Sequence, residues 1–263
     1  MTEKNKKSLI IGIIGLGAVG SAIKHALDYY HSCIGYDIDG RGIFFELMTT
    51  KMVFICVSTP GTKCGVLDCD AVYDVLKHLS DAQYSGICVI KSTVNVGFTD
   101  EAETSFPNLK IVYMPEFLRE KSNFTWVVNP DRLVLSGTKY AIDQVLEAFR
   151  WVEGLGTAVP ILCMSHKEAE LGKLAHNARI AVLVSFTNEV EQISKEHGAD
   201  PNLVMSVIHA DRRVKSTEHL MPSMGPYGGK CVPKDTRALI SSSHHHTLLS
   251  AAEMVNNSFK EEN

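Results

Sequence analysis

Ser8-Leu9-Ile10-Ile11-Gly12-Ile13-Ile14-Gly15-Leu16-Gly17-Ala18-Val19-Gly20 is the stretch that decides the fold. It opens as an apolar, β-branched run of strand length, closes on three glycines, and leads into a helix-compatible segment that continues to about Tyr29. Each glycine has a separate physical use there. Gly15 permits a tight turn, Gly17 lets the backbone approach a pyrophosphate, and Gly20 lets the helix pack close to the strand. The phosphates then meet the helix N-terminus, which places Ala18 and Val19 with the glycines in the binding turn. A second strand, Ser32 to Tyr36, ends in Asp37, at the usual distance of about 20 residues for an acid that accepts from ribose hydroxyls. A carboxylate there favours NAD over NADP, because it repels a 2′-phosphate.

Strands and helices go on alternating downstream. Met52 to Val57 and Gly86 to Lys91 read as buried strands with a helix, Ala71 to Leu79, between them; Leu109 to Met114 and Asp131 to Ser136 are further strands, and Ala141 to Phe149 another helix. This alternation predicts an α/β domain over 1–163, a Rossmann-like doubly wound parallel sheet. Ligands of such sheets collect at the carboxyl ends of the strands, which marks Thr59, Pro60, Ser92 and Thr93 as cofactor-side residues; turn formation and helix capping are their alternative use. In Pro115-Glu116-Phe117-Leu118-Arg119-Glu120, Glu116 and Glu120 share a face if the segment is helical.

From Ser165 the pattern changes to an all-α domain over 164–263. Ser165 and Glu168 form a capping-box signature, and helical spacing runs without proline to about His197, a single helix on the order of 50 Å long. Lys173 and Asn177 lie one turn apart on it, either as a solvent-facing stripe or as an ammonium and an amide aimed at an oxyanion. Further helices are expected from Asp200-Pro201 to about Ala210, over Thr236 to Ser243, and from Leu248 to Phe259. Between them lies Gly228-Gly229-Lys230-Cys231-Val232-Pro233-Lys234-Asp235. Its glycines permit close backbone approach and its lysines favour a thiolate at Cys231, whereas an isolated cysteine is otherwise a small hydrophobe.

The totals exclude several classes. The chain has 263 residues, 45% hydrophobic and 21% charged, with a formal net charge of −4, so it can bury a sizeable core and offers no electrostatic case for nucleic acid. The apolar run from Leu9 to Gly20 is too short and glycine-rich for a membrane span or signal core, and a cytoplasmic location is the expectation. Seven cysteines at irregular spacings fit reduced thiols better than a disulfide framework. Cys64 and Cys69 lack a second close pair, and His244, His245 and His246 read as a solvated loop, so no metal site is expected.

Together, Gly15 to Gly20, Lys91-Ser92-Thr93, Pro115 to Glu120, Asn129-Pro130-Asp131-Arg132, Glu170 to Asn177, Ser185 to Glu189 and Gly228 to Asp235 resemble the UDP-glucose 6-dehydrogenase and GDP-mannose 6-dehydrogenase family, over about Ile10 to Asn257. The resemblance implies NAD-dependent oxidation of a nucleotide-sugar C6 alcohol to the uronate in two hydride transfers, with Cys231 as nucleophile. It implies Lys173 and Asn177 as the oxyanion pair, Asp235 and Thr93 as positioners of the active water, and Glu120 as acid or base. Lys234 falls on the cofactor side. The substrate side comprises Glu116, Phe117, Leu118, Arg119, Glu120, Lys173, Asn177, Tyr227 and Gly228, with Arg213 matching an arginine supplied across a homodimer interface. The chain departs from the family pattern in its short segment from Asp39 to Thr50, where a helix is expected to be missing, in Asn95 and Lys121, and in stopping near Asn263 ahead of a second Rossmann-like domain. The alternatives are an NAD-binding or partner-dependent form without turnover, and a β-hydroxyacid or 6-phosphogluconate dehydrogenase relative. The Gly-Gly-x-Cys loop speaks against the last.

Overall fold

Strands β1 (Ile10–Ile14), β2 (Ser32–Tyr36), β3 (Met52–Ile55), β4 (Ile87–Ile90) and β5 (Lys110–Tyr113) lie parallel in the order β2-β1-β3-β4-β5. The computed structural model describes residues 9–117, 130–150, 159–216 and 218–261. The chain leaves β1 in one direction for β2 and returns on the other side for β3, so the carboxyl ends of β1 and β3 flank the crevice where such sheets take their ligands. β6 (Leu133–Gly137) and β7 (Ile161–Cys163) complete a seven-stranded sheet. β6 runs antiparallel to β5, which corrects the all-parallel expectation. Its apolar run reads alike in either direction, so periodicity carries no information about strand sense. β7 and the helix α3 (Phe98–Ser105) did not stand out in the sequence.

Helix α1 (Ala18–Asp28) follows the glycine turn, α2 (Asp70–Asp81) precedes β4, and α4 (Lys139–Phe149) follows β6, capped by Thr138. Ile23, Ala26 and Leu27 of α1 with Ile142, Val145 and Phe149 of α4 pack on Ile11, Ile13, Phe54, Val89 and Val112. Alternate residues of the same strands, Val53, Ile55, Cys88, Ile90, Ile111 and Tyr113, are buried as well, so the sheet is covered on both faces, as parallel strands require. The His31 ring lies 2.8 Å from the Ala148 carbonyl and ties the end of α1 to α4. Between β2 and β3 there is only a short 3-10 turn, Phe44–Thr49, in agreement with the expected loss of a helix.

The remaining helices are α5 (His166–Glu196), α6 (Pro201–His209), α7 (Val232–Ser241) and α8 (Thr247–Glu261). At the start of α5 the Glu168 carboxylate accepts from the Ser165 amide at 2.8 Å, as the capping-box signature predicts. Asp200 caps α6 by accepting from Asn202 N at 2.8 Å, with Pro201 in the first turn where its missing N–H costs nothing. The chain divides into two compact units, one of Met1–Pro60 with Asp68–Lys173 and one of Gly61–Leu67 with Leu174–Asn263. The division falls inside α5. No described helix is long and apolar enough to cross a membrane.

Candidate active site

In the first unit, the glycine turn meets the steric demands of a dinucleotide. Gly15 adopts a left-handed φ of +86°, and a Cβ there would lie 2.8 Å from the Cys56 carbonyl oxygen. A Cβ on Gly20 would collide with the Gly15 carbonyl, whereas at Gly17 it would meet nothing within 4 Å. The turn is therefore closed on its inner side and open on its outer side. No side chain caps α1, so its first N–H groups remain for an anion. Ala18 and Val19 form that first turn. Asp37, at the end of β2, accepts from Leu16 N at 2.6 Å and pairs with Arg41 at 3.3 Å. The open side of the turn and the uncapped start of α1 leave room for the phosphates of a dinucleotide such as NAD, and the Asp37 carboxylate stands at the end of the neighbouring strand. Arg41 was not anticipated; it brings a guanidinium beside the carboxylate, and the only sequence signal is its place four residues after Asp37.

The carboxyl-end loops of the same unit are tied to one another. Thr59 Oγ1 donates to the Thr93 carbonyl at 2.7 Å and Ser92 Oγ to the Val57 carbonyl at 2.6 Å, so both hydroxyls fix the loops beyond β3 and β4. Glu116 lies in irregular chain after β5. Its carboxylate accepts from Phe117 N at 2.8 Å and pairs at 2.9 Å with the buried Lys91. The Phe117 ring has the Arg132 guanidinium 4.0 Å from its centroid and the Lys173 ammonium at 5.0 Å, within cation–π range. Lys91, Glu116, Phe117 and Arg132 line one cleft. Burial lowers the Arg132 pKa, although Asp131 beside it acts in the opposite sense. Lys91 and Arg132 went unassigned from sequence, although a lysine at the end of a buried strand is itself a signal. Leu118, Arg119 and Glu120 lie outside the described residues.

The second unit brings together Asn177, Cys231, Lys234 and Asp235. Cys231 is exposed at the N-cap of α7, a position where the helix dipole favours a thiolate. Asp235 N–H donates to the Cys231 carbonyl at 2.9 Å, one turn on, and its carboxylate is fully buried. That carboxylate accepts from Asn177 Nδ2 at 2.5 Å and from the Lys234 ammonium at 2.6 Å. Asn177 is thus oriented by Asp235. Gly228 offers open space where a side chain would stand, and Gly229 has a φ of +74°. The Tyr227 ring is buried against Ala181 and Val184 while Asn256 holds its backbone N–H at 2.7 Å, so it anchors the loop. Its hydroxyl is pushed up to about 12 by burial, with Glu253 adding to the rise. Arg213 is exposed and pairs with Asp211 at 2.5 Å on its own loop.

The chain matches two domains of one known family. Residues 44–150 match the UDP-glucose/GDP-mannose dehydrogenase family, NAD binding domain, and residues 167–258 match the central domain of that family. The chain is 33% identical over 167 residues to a UDP-glucose 6-dehydrogenase of Streptococcus pneumoniae, covering 61% of this chain and 42% of that protein. It is 31% identical over 231 residues to the Pseudomonas aeruginosa UDP-glucose 6-dehydrogenase, covering 82% and 50%. A solved UDP-glucose dehydrogenase from Pyrobaculum islandicum superimposes with a TM-score of 0.83 at 26% identity, over 98% of this chain and 70% of that one. The chain spans about half the length of the curated relatives it matches. The cofactor of the matched N-terminal domain is NAD.

Proposed function

The chain belongs to the UDP-glucose/GDP-mannose dehydrogenase family, and from that premise we propose that it oxidises the C6 alcohol of a nucleotide sugar to the uronate in two NAD-dependent steps. The observation that carries this reading is the Asn177–Asp235–Lys234 network around the helix turn that starts at the exposed Cys231. A purely NAD-binding protein has no need of it.

Two NAD molecules, bound one after the other, would supply the hydride acceptor, one for each oxidation. In the first step the alcohol gives a hydride to NAD and its hydroxyl proton to water and becomes an aldehyde. The Cys231 thiolate then adds to the aldehyde carbon, forming a C–S bond and an alkoxide. The Lys173 ammonium and the Asn177 amide, the latter oriented by Asp235, are the donors assigned to that alkoxide. Collapse of the alkoxide with loss of a second hydride leaves a thioester on Cys231. Water, positioned by Asp235 and Thr93 with Glu120 as acid or base, attacks the thioester carbon and returns the thiol. Glu116, Phe117, Leu118, Arg119, Tyr227 and Gly228 are assigned to the sugar side, and Arg213 to the substrate of a partner subunit in a homodimer.

The test is NADH formation on a panel of UDP- and GDP-sugars, with moles of NADH counted per mole of sugar. Two per sugar supports the full sequence, whereas one per sugar removes the thioester step. A second reading, NAD binding without turnover, is supported by the match of residues 44–150 to an NAD binding domain. Tight NAD binding with no NADH on any sugar would establish it.

A further inference from the structure

Glu170 was left without a role by the reading above, and its surroundings are unusual. It is fully buried in the first turns of α5, within the first unit. Its partners are all at the start of α3. Oε2 accepts from Gly97 N at 2.6 Å, and Oε1 accepts from Thr99 N at 2.9 Å and from Thr99 Oγ1 at 2.6 Å. Gly97 is the N-cap residue of α3, held at a left-handed φ of +92°, and has no side chain with which to cap the helix. Glu170 therefore supplies the missing cap from another helix, and the positive end of α3 favours its charge.

The chain immediately ahead of Gly97 is the loop that carries Ser92 and Thr93. Its near end is fixed by Thr59 on the Thr93 carbonyl and by Ser92 on the Val57 carbonyl, and its far end by Glu170. Other contacts dock α3 on the start of α5, Lys167 with Asp100 at 3.5 Å and His166 with Glu103 at 3.3 Å, but they grip the body of α3 beyond the loop. Glu170 also lies three residues, one helical turn, before Lys173. One carboxylate thus ties the Thr93 loop to the turn that bears Lys173.

We propose that Glu170 is a positioning residue: by capping α3 from α5 it holds the loop 92–97, and with it Thr93, in the conformation that receives NAD. This rests on the functional reading of the first unit as the cofactor domain. Glutamine is the sharpest replacement, since it keeps the shape but sets an NH2 group against at least one N–H donor and removes the charge.

The experiment combines hydrogen exchange with NAD titration on the full chain. Glu170→Gln is expected to speed exchange at Gly97 and Thr99 at least tenfold while the amides of β1, β3 and β4 keep their rates. It is expected to weaken NAD several-fold. Thr93→Val is expected to weaken NAD in the otherwise native chain but to add little in the Glu170→Gln background, because both changes remove the same placement. Glu168→Gln, which alters only the exposed cap of α5 itself, serves as the control and leaves Gly97 and Thr99 protected. If Glu170→Gln does not fold, Thr99→Val, which removes one of the three donors, is to show the same local effect at smaller size. Unchanged exchange at 97 and 99, loss of protection across the whole sheet, or additive losses of NAD affinity each overturn the proposal. A native chain that binds no NAD overturns the functional reading along with it, whereas NAD binding with additive losses overturns this inference alone.

Discussion

Cys231 and Asp37 carry the sharpest consequences at the scale of single residues. Burial pushes the thiols of Cys56 and Cys88 up to about 12, although Lys91 draws Cys56 back in part. At pH 8 their thiolate fraction is then about a thousandfold below that of an ordinary thiol. Cys231, exposed at a helix N-terminus beside Lys230, is expected to alkylate first of the seven, with the exposed Cys64 and Cys163 next and Cys56 and Cys88 last. Lys234 contributes less than its sequence position implies, because its ammonium is spent on Asp235. Peptide mapping after a short pulse of iodoacetamide gives the order; Cys231 among the slow thiols would end the covalent mechanism. Cys231→Ser is expected to lose at least a hundredfold in uronate formation with NAD affinity retained, since serine is a far weaker nucleophile at neutral pH. For Asp37→Ala the expectation is a loss of NAD affinity of tenfold or more. Arg41 stands ready beside that site, so NADP is the informative comparison. Tighter binding of NADP than of NAD by the native chain would reverse the assignment of Asp37 as the discriminating group.

Among the elements, α5 shows why a helix with so many buried polar residues is not a defect. Ser185 Oγ donates to the Ala252 carbonyl at 2.7 Å, Asn188 Nδ2 to the Gly225 carbonyl at 3.1 Å, and Glu191 accepts from Ser223 N at 2.5 Å. The first of these bonds docks α8, and the other two hold the irregular chain that leads to Cys231, including Ser223 at a φ of +66°. Replacing Asn188 by alanine leaves the Gly225 carbonyl without this donor and is expected to cost about 1–2 kcal/mol, measurable by urea denaturation. Burial alone would raise the Glu191 carboxyl, but Lys195 and the Ser223 N–H outweigh it and hold the pKa below the ordinary 4.5. A folded pKa below the unfolded one means that this stabilisation is complete above pH about 4.5 and is lost as pH falls through the lower, folded value. Glu191→Gln is therefore expected to flatten the acid limb of the stability profile; an unchanged limb would show that other carboxylates set it.

On the scale of the whole molecule, the second unit leaves Phe186, Ile193, Leu203, Val204 and Val207 exposed on α5 and α6. Sedimentation at micromolar concentration is expected to show a dimer, and Phe186→Asp to shift it towards monomer; a native monomer would remove the basis for giving Arg213 a role in a partner's site. Much of the fold was legible because it depends on local pattern. The glycine turn, β2 ending in Asp37, the capped start of α5 and the Pro201 start of α6 all follow from backbone sterics and side-chain periodicity within a few residues of chain. The Cys231 loop was legible for the same reason, since glycines, lysines and a cysteine adjacent in sequence are adjacent in space. What lay beyond such reach was the reversed sense of β6, the short β7 and α3, the pairing of Lys91 with Glu116, the Arg132–Phe117 stack and the capping of α3 by Glu170. All but α3, a helix of eight residues with two buried positions, join segments distant in sequence, and a hydrogen bond or ion pair across such a distance leaves no periodic trace. By itself, then, the amino-acid order determined the sheet-forming alternation, the glycine turn and the Cys231 loop; the tertiary structure alone decided which buried carboxylates are held by which donors, because those partners are chosen by packing.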